Sequence, residues 1–371
     1  MNKKEKSKIQ KEIIDTLLEK PHGRLLLAPR VGKTKLAIDI IKREKPESIL
    51  WVTPSAKLAE EDIPAEFELW KAKKYMNKLT TVTWMSLDKI QGHYEMIILD
   101  EEQFITENNS LSLRKGQLTY DYIVSMTGTA TKHVEKRELY KELDLKVLYD
   151  MGINEAVDMG MLSDYEVKVL QVMLNNQDKE ITAGTKDKPF MTTEKAQYDY
   201  VDRMAMQAIY QGRKDAAFRI MARMRAIKNS PSKHKAAEWL YNKLEGRNLF
   251  FCSSIAQANE IGDYQYHSKT DNEDLQKFMV GAVDNICMVN AGGTGFTYKA
   301  IDNLVLVQAD SDKNGLTSQK ICRTLLQQKD YKATIWIICL VGTQDEKWVK
   351  SALENFDQSK VKYELFQNLV T

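Results

Sequence analysis

Short, nearly continuous apolar runs alternate with amphipathic stretches along the first 150 residues. Runs of this kind are typical of strands in a parallel sheet that helices cover on both faces. The runs that predict strands are RLLLA (24–28), SILWVTP (48–54), LTTVTW (79–84), EMIILDE (95–101) and DYIVSMTG (121–128). We therefore expect an open α/β domain over residues 1–160.

The pattern changes in the middle of the chain. A polar, turn-rich segment at 171–195 predicts a surface loop, and residues 195–245 predict helices without a strand. Strand-like apolar runs resume after that, at 248–254, 285–293, 303–310 and 334–342. We expect a second α/β domain over residues 161–371, with the helical segment before or within it.

Composition narrows the class of protein. The 371 residues are 43% hydrophobic, with a formal net charge of +2. Such a small net charge neither favours nor excludes a nucleic-acid partner, so a polyanion site has to be a local patch. No run reaches the ~18 apolar residues that a bilayer crossing needs, so we expect no membrane association. The four scattered cysteines and the charged N-terminus predict a cytoplasmic protein.

A glycine–lysine–threonine turn follows the first predicted strand. Gly32, Lys33 and Thr34 match the end of the phosphate loop G-x-x-x-x-G-K-[ST], but Leu27 replaces its first glycine and Arg30 replaces a frequent second one. The strand before the turn and the helix after it favour a loop whose amides face phosphates. Lys33 then pairs with the β/γ-phosphates of ATP and Thr34 holds Mg²⁺. The alternative is a strand–turn–helix without a ligand.

Two acids end a later buried strand. In YEMIILDEEQF, Asp100 lies 67 residues after Lys33 and Glu101 follows it. A carboxylate for Mg²⁺ beside one that polarises the attacking water is the arrangement of an ATPase. A strand edge made soluble by charge is the alternative, and the order of the two elements favours the ATPase.

The DEEQ segment resembles the D-E-x-[HDQ] box of superfamily 2 helicases and translocases. Further motifs of that family follow in the same order over nearly the whole chain. The resemblance implies that Gln10 reads the adenine edge. It implies nucleic-acid backbone contacts for Thr53 and Pro54 in WVTPSAKLAEE, and for Ser86 in TWMSL. TGTAT (127–131) resembles the element that couples nucleotide state to domain closure.

The second half carries the later motifs of the same family. Ser254 lies in LFFCSSIAQANEI, which resembles motif IV, and Gly295 lies in NAGGTGFTY, which resembles motif V. In QKICRTLL, Gln319 and Arg323 match Q-x-x-G-R-x-x-R. The resemblance implies that Arg323 is an arginine finger and that Gly295 approaches the ATP γ-phosphate.

Departures from the family pattern predict slower hydrolysis. Leu326 stands where the family has its last arginine, and Cys322 replaces a glycine. Gln103 stands where the acidic box often has His or Asp. For Arg30 we expect a side chain that turns away from the phosphates.

A basic segment at 213–235 is a further candidate for nucleic-acid contact. It contains eight Lys or Arg residues and one Asp. Arg219 and Arg223 are four residues apart, so they share one face of a predicted helix and could follow a phosphate backbone. A solvated basic face is an equally good interpretation.

The resemblance implies two tandem RecA-like domains and an ATP-dependent DNA helicase or translocase, similar to small phage-type enzymes. A phage origin would imply the host cytoplasm. Lys33, Glu101, Gln319 and Arg323 would be catalytic, and ATP and Mg²⁺ the cofactors. The alternatives are an RNA helicase, a motor subunit of a restriction-type complex, and a nucleic-acid clamp that ATP switches without turnover. The A-G-G-x-G form of motif V and the absence of a D-E-A-D box favour DNA over RNA.

Overall fold

The computed structural model describes residues 3–128, 133–289, 301–309, 316–322, 325 and 331–369. The chain divides into two compact units. The first comprises Met1–Asp164 and Asp312–Tyr331, and the second comprises Tyr165–Ser311 and Lys332–Thr371. Residues 312–331 therefore group with the first unit although they follow most of the second in the chain.

The first unit is built on a six-stranded parallel sheet. Its strands are β1 (Gly23–Leu27), β2 (Ile49–Thr53), β3 (Leu79–Thr83), β4 (Gly92–Asp100), β5 (Leu118–Thr127) and β6 (Val147–Met151). They lie in the order β3-β2-β4-β5-β1-β6, and every neighbouring pair is parallel. The five strands predicted from apolar runs are confirmed, and β6 is an additional edge strand with a half-exposed face.

Helices cover this sheet because their apolar positions recur at helical spacing. They are α1 (Lys3–Thr16), α2 (Lys33–Glu44), α3 (Ile63–Leu69), α4 (Glu107–Lys115), α5 (Val134–Glu142) and α6 (Ile153–Asp158). α2 begins directly after the glycine–lysine turn and buries Leu36, Ile40 and Ile41. The edge of the Trp51 ring packs against Phe67 of α3, with centroids 6.0 Å apart. The strand ends that carry the candidate residues are thus supported by a closed core.

The second unit contains a seven-stranded sheet and a separate hairpin. Its strands are β7 (Asp164–Val172), β8 (Ile181–Thr185), β9 (Lys188–Thr192), β10 (Asn248–Cys252), β11 (Gln265–Tyr266), β12 (Asn285–Val289), β13 (Asn303–Leu306), β14 (Lys332–Leu340) and β15 (Val361–Leu365). The large sheet has the order β11-β12-β10-β13-β14-β7-β15. β8 and β9 pair antiparallel on their own.

The hairpin corrects the prediction of a loop over 171–195. That segment holds the end of β7 and both hairpin strands. Phe190 and Met191 of the hairpin are exposed, so the ribbon lacks the in-and-out alternation by which a half-buried strand is recognised. Within β8, Gly184 has a φ of +93°, and a Cβ atom there would lie 2.3 Å from the Lys188 carbonyl oxygen of the opposite strand, so the strand needs glycine at this position.

Helices follow the hairpin as the sequence predicts. They are α7 (Glu194–Tyr210), α8 (Ala216–Lys228), α9 (Pro231–Lys243), α10 (Ile255–Ile261), α11 (Glu273–Val280), α12 (Leu316–Cys322) and α13 (Gln344–Leu353). The first three confirm the helical segment, which follows β7 and so lies within the second unit. α12 belongs to the first unit. Both units are α/β with parallel pairing in their large sheets, which confirms the predicted fold class.

Within the described ranges, none of the helices combines the length and the apolar composition that a bilayer crossing requires.

Candidate nucleotide site

The turn between β1 and α2 contains two residues with left-handed backbone. Arg30 has a φ of +70° and Gly32 a φ of +92°. Glycine adopts this conformation freely, whereas another L-residue loses about 1–2 kcal/mol there. Gly32 also needs to be small, because a Cβ atom would lie 2.5 Å from the Gln10 amide nitrogen. The turn therefore has the backbone of a glycine-rich loop, with an arginine at one of its two left-handed positions.

Side chains of helix α1 hold this turn by donating hydrogen bonds to the turn's main-chain carbonyl oxygens. Gln10 is completely buried, and its Nε2 donates to the Val31 carbonyl at 2.7 Å. Lys6 Nζ donates to the Arg30 carbonyl at 2.8 Å. Burial, together with the positive charges of Arg30 and Lys35, lowers the pKa of Lys6 to about 8. Gln10 Oε1 is buried and has no hydrogen-bond partner among the described residues.

The acid pair at the end of β4 has an unusual electrostatic environment. Burial and, to a smaller extent, the negative charge of Glu101 raise the pKa of Asp100, which is about 7. The positive charge of Lys33 opposes both effects. Glu101 itself has a φ of +52° and a ψ of 60°, so its backbone is left-handed. Strained non-glycine residues of this kind concentrate at functional sites.

The Glu101 carboxylate receives three side-chain donors. Lys33 Nζ lies 2.6 Å from Oε1. Gln103 Nε2 donates to Oε2 at 2.8 Å, and Gln319 Nε2 of α12 donates to the same oxygen at 3.2 Å. The structure therefore brings together three predicted site residues, Lys33, Glu101 and Gln319. A fourth, Asp100, directly precedes Glu101 in the chain. Lys33 and Glu101 neutralise each other in this arrangement.

The end of β5 is tied to the acid pair. Thr127 Oγ1 donates to Gln103 Oε1 at 2.7 Å, while Gln103 donates to Glu101. At Gly128 a Cβ atom would lie 3.2 Å from Lys33 Nζ. The T-G-T segment thus contacts both the lysine and, through Gln103, the carboxylate. Its remaining residues, 129–131, lie outside the described residues.

Glu102 is a residue whose role the sequence analysis missed. It is 1% exposed, and its carboxylate pairs with Arg24 of β1, with Nε at 2.9 Å from Oε1. Ser125 donates to the same carboxylate, and the Arg24 guanidinium lies 4.0 Å from the centre of the Tyr140 ring. Glu102 therefore joins three elements of the core. The available signal was Arg24, a lone charge in the otherwise apolar run RLLLA.

Three predicted nucleic-acid contacts share one edge of the first unit. β2 and β3 pair in register with Thr53 beside Thr83, so Thr53, Pro54 and Ser86 follow the carboxyl ends of adjacent strands. Thr53 is buried and its hydroxyl has no partner among the residues described. Ser86 Oγ accepts a hydrogen bond from Thr83 Oγ1 at 3.2 Å.

Three predicted contacts in the second unit have partners within that unit. Ser254 caps α10 by accepting from the Gln257 amide at 3.2 Å. Arg219 pairs with Asp215 at 3.1 Å. Arg223 is only 7% exposed and pairs with Asp202 of α7 at 2.9 Å, which joins α7 to α8. Gly295, Arg323 and Leu326, singled out in motifs V and VI, lie outside the described residues.

Sequence comparison gives one distant relative. No protein-family model matches the chain. The DNA 3'-5' translocase XPB2 of Sulfurisphaera tokodaii is 22% identical over 199 residues, which are 48% of this chain and 43% of that protein. The match thus spans less than half of either protein.

Comparison of structures covers nearly the whole chain. The Type ISP restriction-modification enzyme LlaBIII bound to DNA has a TM-score of 0.59 at 12% identity, over 98% of this chain and 31% of that one. The Pyrococcus furiosus Hef helicase domain has a TM-score of 0.53 at 12% identity, over 94% of this chain and 97% of that one. S. cerevisiae Dbp5 bound to RNA and ADP BeF3 has a TM-score of 0.56 at 13% identity, over 98% of this chain and 90% of that one. The chain has the tandem RecA-like fold of these proteins, which confirms the predicted fold class.

Proposed function

We propose that the chain is a superfamily 2 motor that couples ATP hydrolysis to movement along DNA. One observation carries this proposal: Lys33, at the start of a helix behind a left-handed turn, lies 2.6 Å from Glu101. A lysine that faces two acids at the end of a buried strand of the same sheet is what ATP and a divalent cation require. The proposed domains are residues 1–160 for nucleotide binding and 161–371 for the second RecA-like half.

Lys33, Gln10 and the turn would bind ATP. The free amides at the start of α2 and the Lys33 ammonium attract the phosphates. ATP then competes with Glu101 for Lys33, and its binding separates the two side chains. Gln10 Nε2 already donates to the loop. Its unpartnered Oε1 remains to accept a hydrogen bond from the adenine amino group.

The residues present fit a magnesium ion. The Asp100 carboxylate and the Thr34 hydroxyl are hard oxygen donors, which Mg²⁺ prefers. The raised pKa of Asp100 reflects a buried acid next to another acid, and a cation relieves that repulsion. When bound, Mg²⁺ would neutralise charge on the β- and γ-phosphates.

Glu101 would then orient the attacking water. Once Lys33 has moved to the phosphates, Glu101 Oε1 would accept a hydrogen bond from water in place of the one from the lysine. Gln103 and Gln319 continue to hold the other oxygen and thus fix the direction of the carboxylate. On the family resemblance, we assign Arg323 the role of an arginine finger that contacts the γ-phosphate. On the same ground, we expect the Gly295 backbone to lie close to that phosphate.

The nucleic-acid contact would lie at Thr53, Pro54 and Ser86, which follow adjacent strands of one sheet edge. Ser254 is kept as a contact of the second half. Because Arg219 and Arg223 have carboxylate partners, we assign Arg219 to the start of α8 and Arg223 to the packing of α7 against α8 instead. DNA is favoured because XPB2 is a DNA translocase and LlaBIII is bound to DNA, whereas Dbp5 is bound to RNA.

Phosphate release from ATP tests the proposal. We expect Mg²⁺-dependent turnover that DNA stimulates, with single-stranded, duplex and forked DNA and RNA compared side by side. Lys33→Ala should lower the rate by about 10³-fold, since it removes the charge that meets the phosphates. Lys35→Ala is the matched control, because Lys35 pairs with Asp39 on the same helix and should keep turnover within about twofold. Stimulation by RNA alone would reassign the substrate. Equal rates in the two variants would contradict the proposal.

A nucleic-acid clamp that ATP switches without turnover is the second candidate. The observation that favours it is the Glu101 carboxylate, which already receives three donors and has to lose one before it can activate water. Tight ATP binding, a change in DNA affinity and no phosphate release would establish the clamp.

A further inference from the structure

Trp84 connects two segments to which the proposed function gives different tasks. Its side chain is 5% exposed, and its indole Nε1 donates to the main-chain carbonyl of Asp100 at 2.9 Å. Trp84 is also the first residue of the 3₁₀ turn Trp84–Lys89, which carries Ser86. One residue therefore belongs to the proposed nucleic-acid segment and touches the proposed nucleotide site.

The contacted carbonyl lies at a sensitive position of the backbone. The pairing of β2 with β4 ends at Val52 and Leu99, one residue before Asp100. The peptide from Asp100 then leads into Glu101, whose backbone is left-handed. The plane of that peptide sets φ of Glu101 and hence the direction of its side chain. A hydrogen bond that fixes the carbonyl also fixes the carboxylate that would orient water.

The tryptophan is itself held from the other side. Asn109 is 5% exposed, and its Nδ2 donates to the Trp84 carbonyl at 2.9 Å. Asn109 Oδ1 accepts from the amide and hydroxyl of Thr106 in the capping box that starts α4. Hydrogen bonds therefore connect α4 through Trp84 to Asp100 without a break, and the central one is buried.

We propose that Trp84 is a positioning residue that couples nucleic-acid binding at residues 83–87 to the orientation of Glu101. This inference rests on the proposed function. Nucleic acid that displaces the 3₁₀ turn displaces the indole donor, and the Asp100–Glu101 peptide follows it. Conversely, the loss of Lys33 from Glu101 on ATP binding is transmitted to the turn through the same hydrogen bond.

Coupling between the two ligands is the measurement that isolates this role. The affinity for a fluorescein-labelled single strand of DNA is measured with and without Mg²⁺ and a non-hydrolysable ATP analogue. For the wild type we expect the analogue to change this affinity at least about fivefold. Trp84→Phe keeps an aromatic ring but loses the N–H donor. It should reduce the change to less than about twofold, with each single-ligand affinity within about twofold of the wild type.

Two further variants make the test specific. Trp70→Phe removes an indole that donates to Glu66 within α3 at 2.5 Å, and it should retain the coupling of the wild type. Asn109→Asp keeps the acceptor oxygen of the capping box but loses the donor to Trp84, so it should also weaken coupling. It carries the test if Trp84→Phe does not fold.

The outcomes separate this inference from the proposed function. If the wild type is coupled and both Trp84→Phe and Asn109→Asp remain coupled, the inference fails and the proposed motor stands. A lower melting temperature of Trp84→Phe with unchanged coupling also overturns it, because the role is then structural. If the wild type binds no nucleotide, the proposed function fails together with the inference.

Discussion

Two lysine–carboxylate pairs of equal length lie in very different surroundings. Lys33 Nζ is 2.6 Å from Glu101, and the two side chains are 13% and 22% exposed. Lys233 Nζ is also 2.6 Å from Asp345, but neither side chain has any exposed surface. The length of an ion pair therefore says nothing about its role, and the other partners of each charge have to be considered.

The buried pair in the second unit is fully satisfied by neighbouring groups. Asp345 also accepts from the Leu340 amide at 3.0 Å and from Gln308 Nε2 at 3.2 Å, while Lys233 donates to Gln308 Oε1 at 2.8 Å. These groups join α9, α13 and the ends of β13 and β14. Such a pair cannot open without leaving a buried charge, so it serves packing.

The pair in the first unit is suited to exchange its partners. Lys33 follows a turn in which the start of α2 offers free amides to an anion. Glu101 is held by two glutamines in addition to the lysine. Because both side chains are partly exposed, the ATP of the proposed function could take the lysine while the glutamines keep the glutamate oriented. The contrast is thus between a structural ion pair and one that we propose a ligand divides.

The largest effect should follow from breaking the buried pair. Lys233→Met leaves the Asp345 charge uncompensated and should lower the local free energy of unfolding by about 3–5 kcal/mol. Lys235→Met is the control, because the Lys235–Glu180 pair is exposed and should contribute less than about 0.5 kcal/mol. The difference between the two variants is measured by amide hydrogen exchange in β13 and β14, with exchange in β4 as the internal reference. Equal exchange in the two variants would refute the structural role.

Two adjacent glutamates should separate stability from activity. Glu102→Gln leaves Arg24 buried with a weakened partner, so the free energy of unfolding of the first unit should fall by about 3 kcal/mol. Glu101→Gln should change it by less than about 1 kcal/mol, yet reduce ATP turnover by at least about 10²-fold. Urea unfolding and phosphate release measured on the same preparations check both results. Similar effects of the two variants on both quantities would remove the distinction.

The sequence could predict those parts of the fold whose residues are buried on both faces. The apolar runs around Trp51 and Ile98 identified central strands because a parallel sheet leaves no polar alternation. The hairpin β8–β9 was missed since its strands pack on little else. The candidate site was predicted from the glycine–lysine turn and the two acids, whose chemistry is local in sequence, and Lys33 and Glu101 do lie 2.6 Å apart.

What the sequence could not predict depends on long-range contacts. Asp-Glu-Glu does not say which glutamate points to the lysine and which to the core. The choice follows from the left-handed φ of Glu101 and from Arg24, 78 residues away. Similarly, the partner of Arg219, Asp215, lies four residues away at the start of the same helix, but the partner of Arg223, Asp202, lies on α7 and becomes visible only in the packed helices.

Lys6 should give the most gradual effect, which we expect to depend on pH. Its named neighbours are a carbonyl and two cations, and burial lowers its pKa from 10.5 to about 8. Below pH 8 Lys6 is protonated in both the folded and the unfolded state, so its full cost is present. Between pH 8 and 10.5 the folded state has lost the proton and the unfolded state keeps it, so stability rises with pH. The wild type should therefore gain stability relative to Lys6→Met over this window, by at most about 1.4 kcal/mol per pH unit. Urea unfolding of both proteins at pH 7, 8, 9 and 10, a range that begins below the lowered pKa of about 8 and approaches the ordinary value of 10.5, measures the difference in stability. If the difference in the free energy of unfolding between the wild type and Lys6→Met did not change with pH, Lys6 would be as well solvated as an ordinary surface lysine. The contrast between Lys6 and the two lysines that pair with carboxylates, Lys33 and Lys233, would then fail.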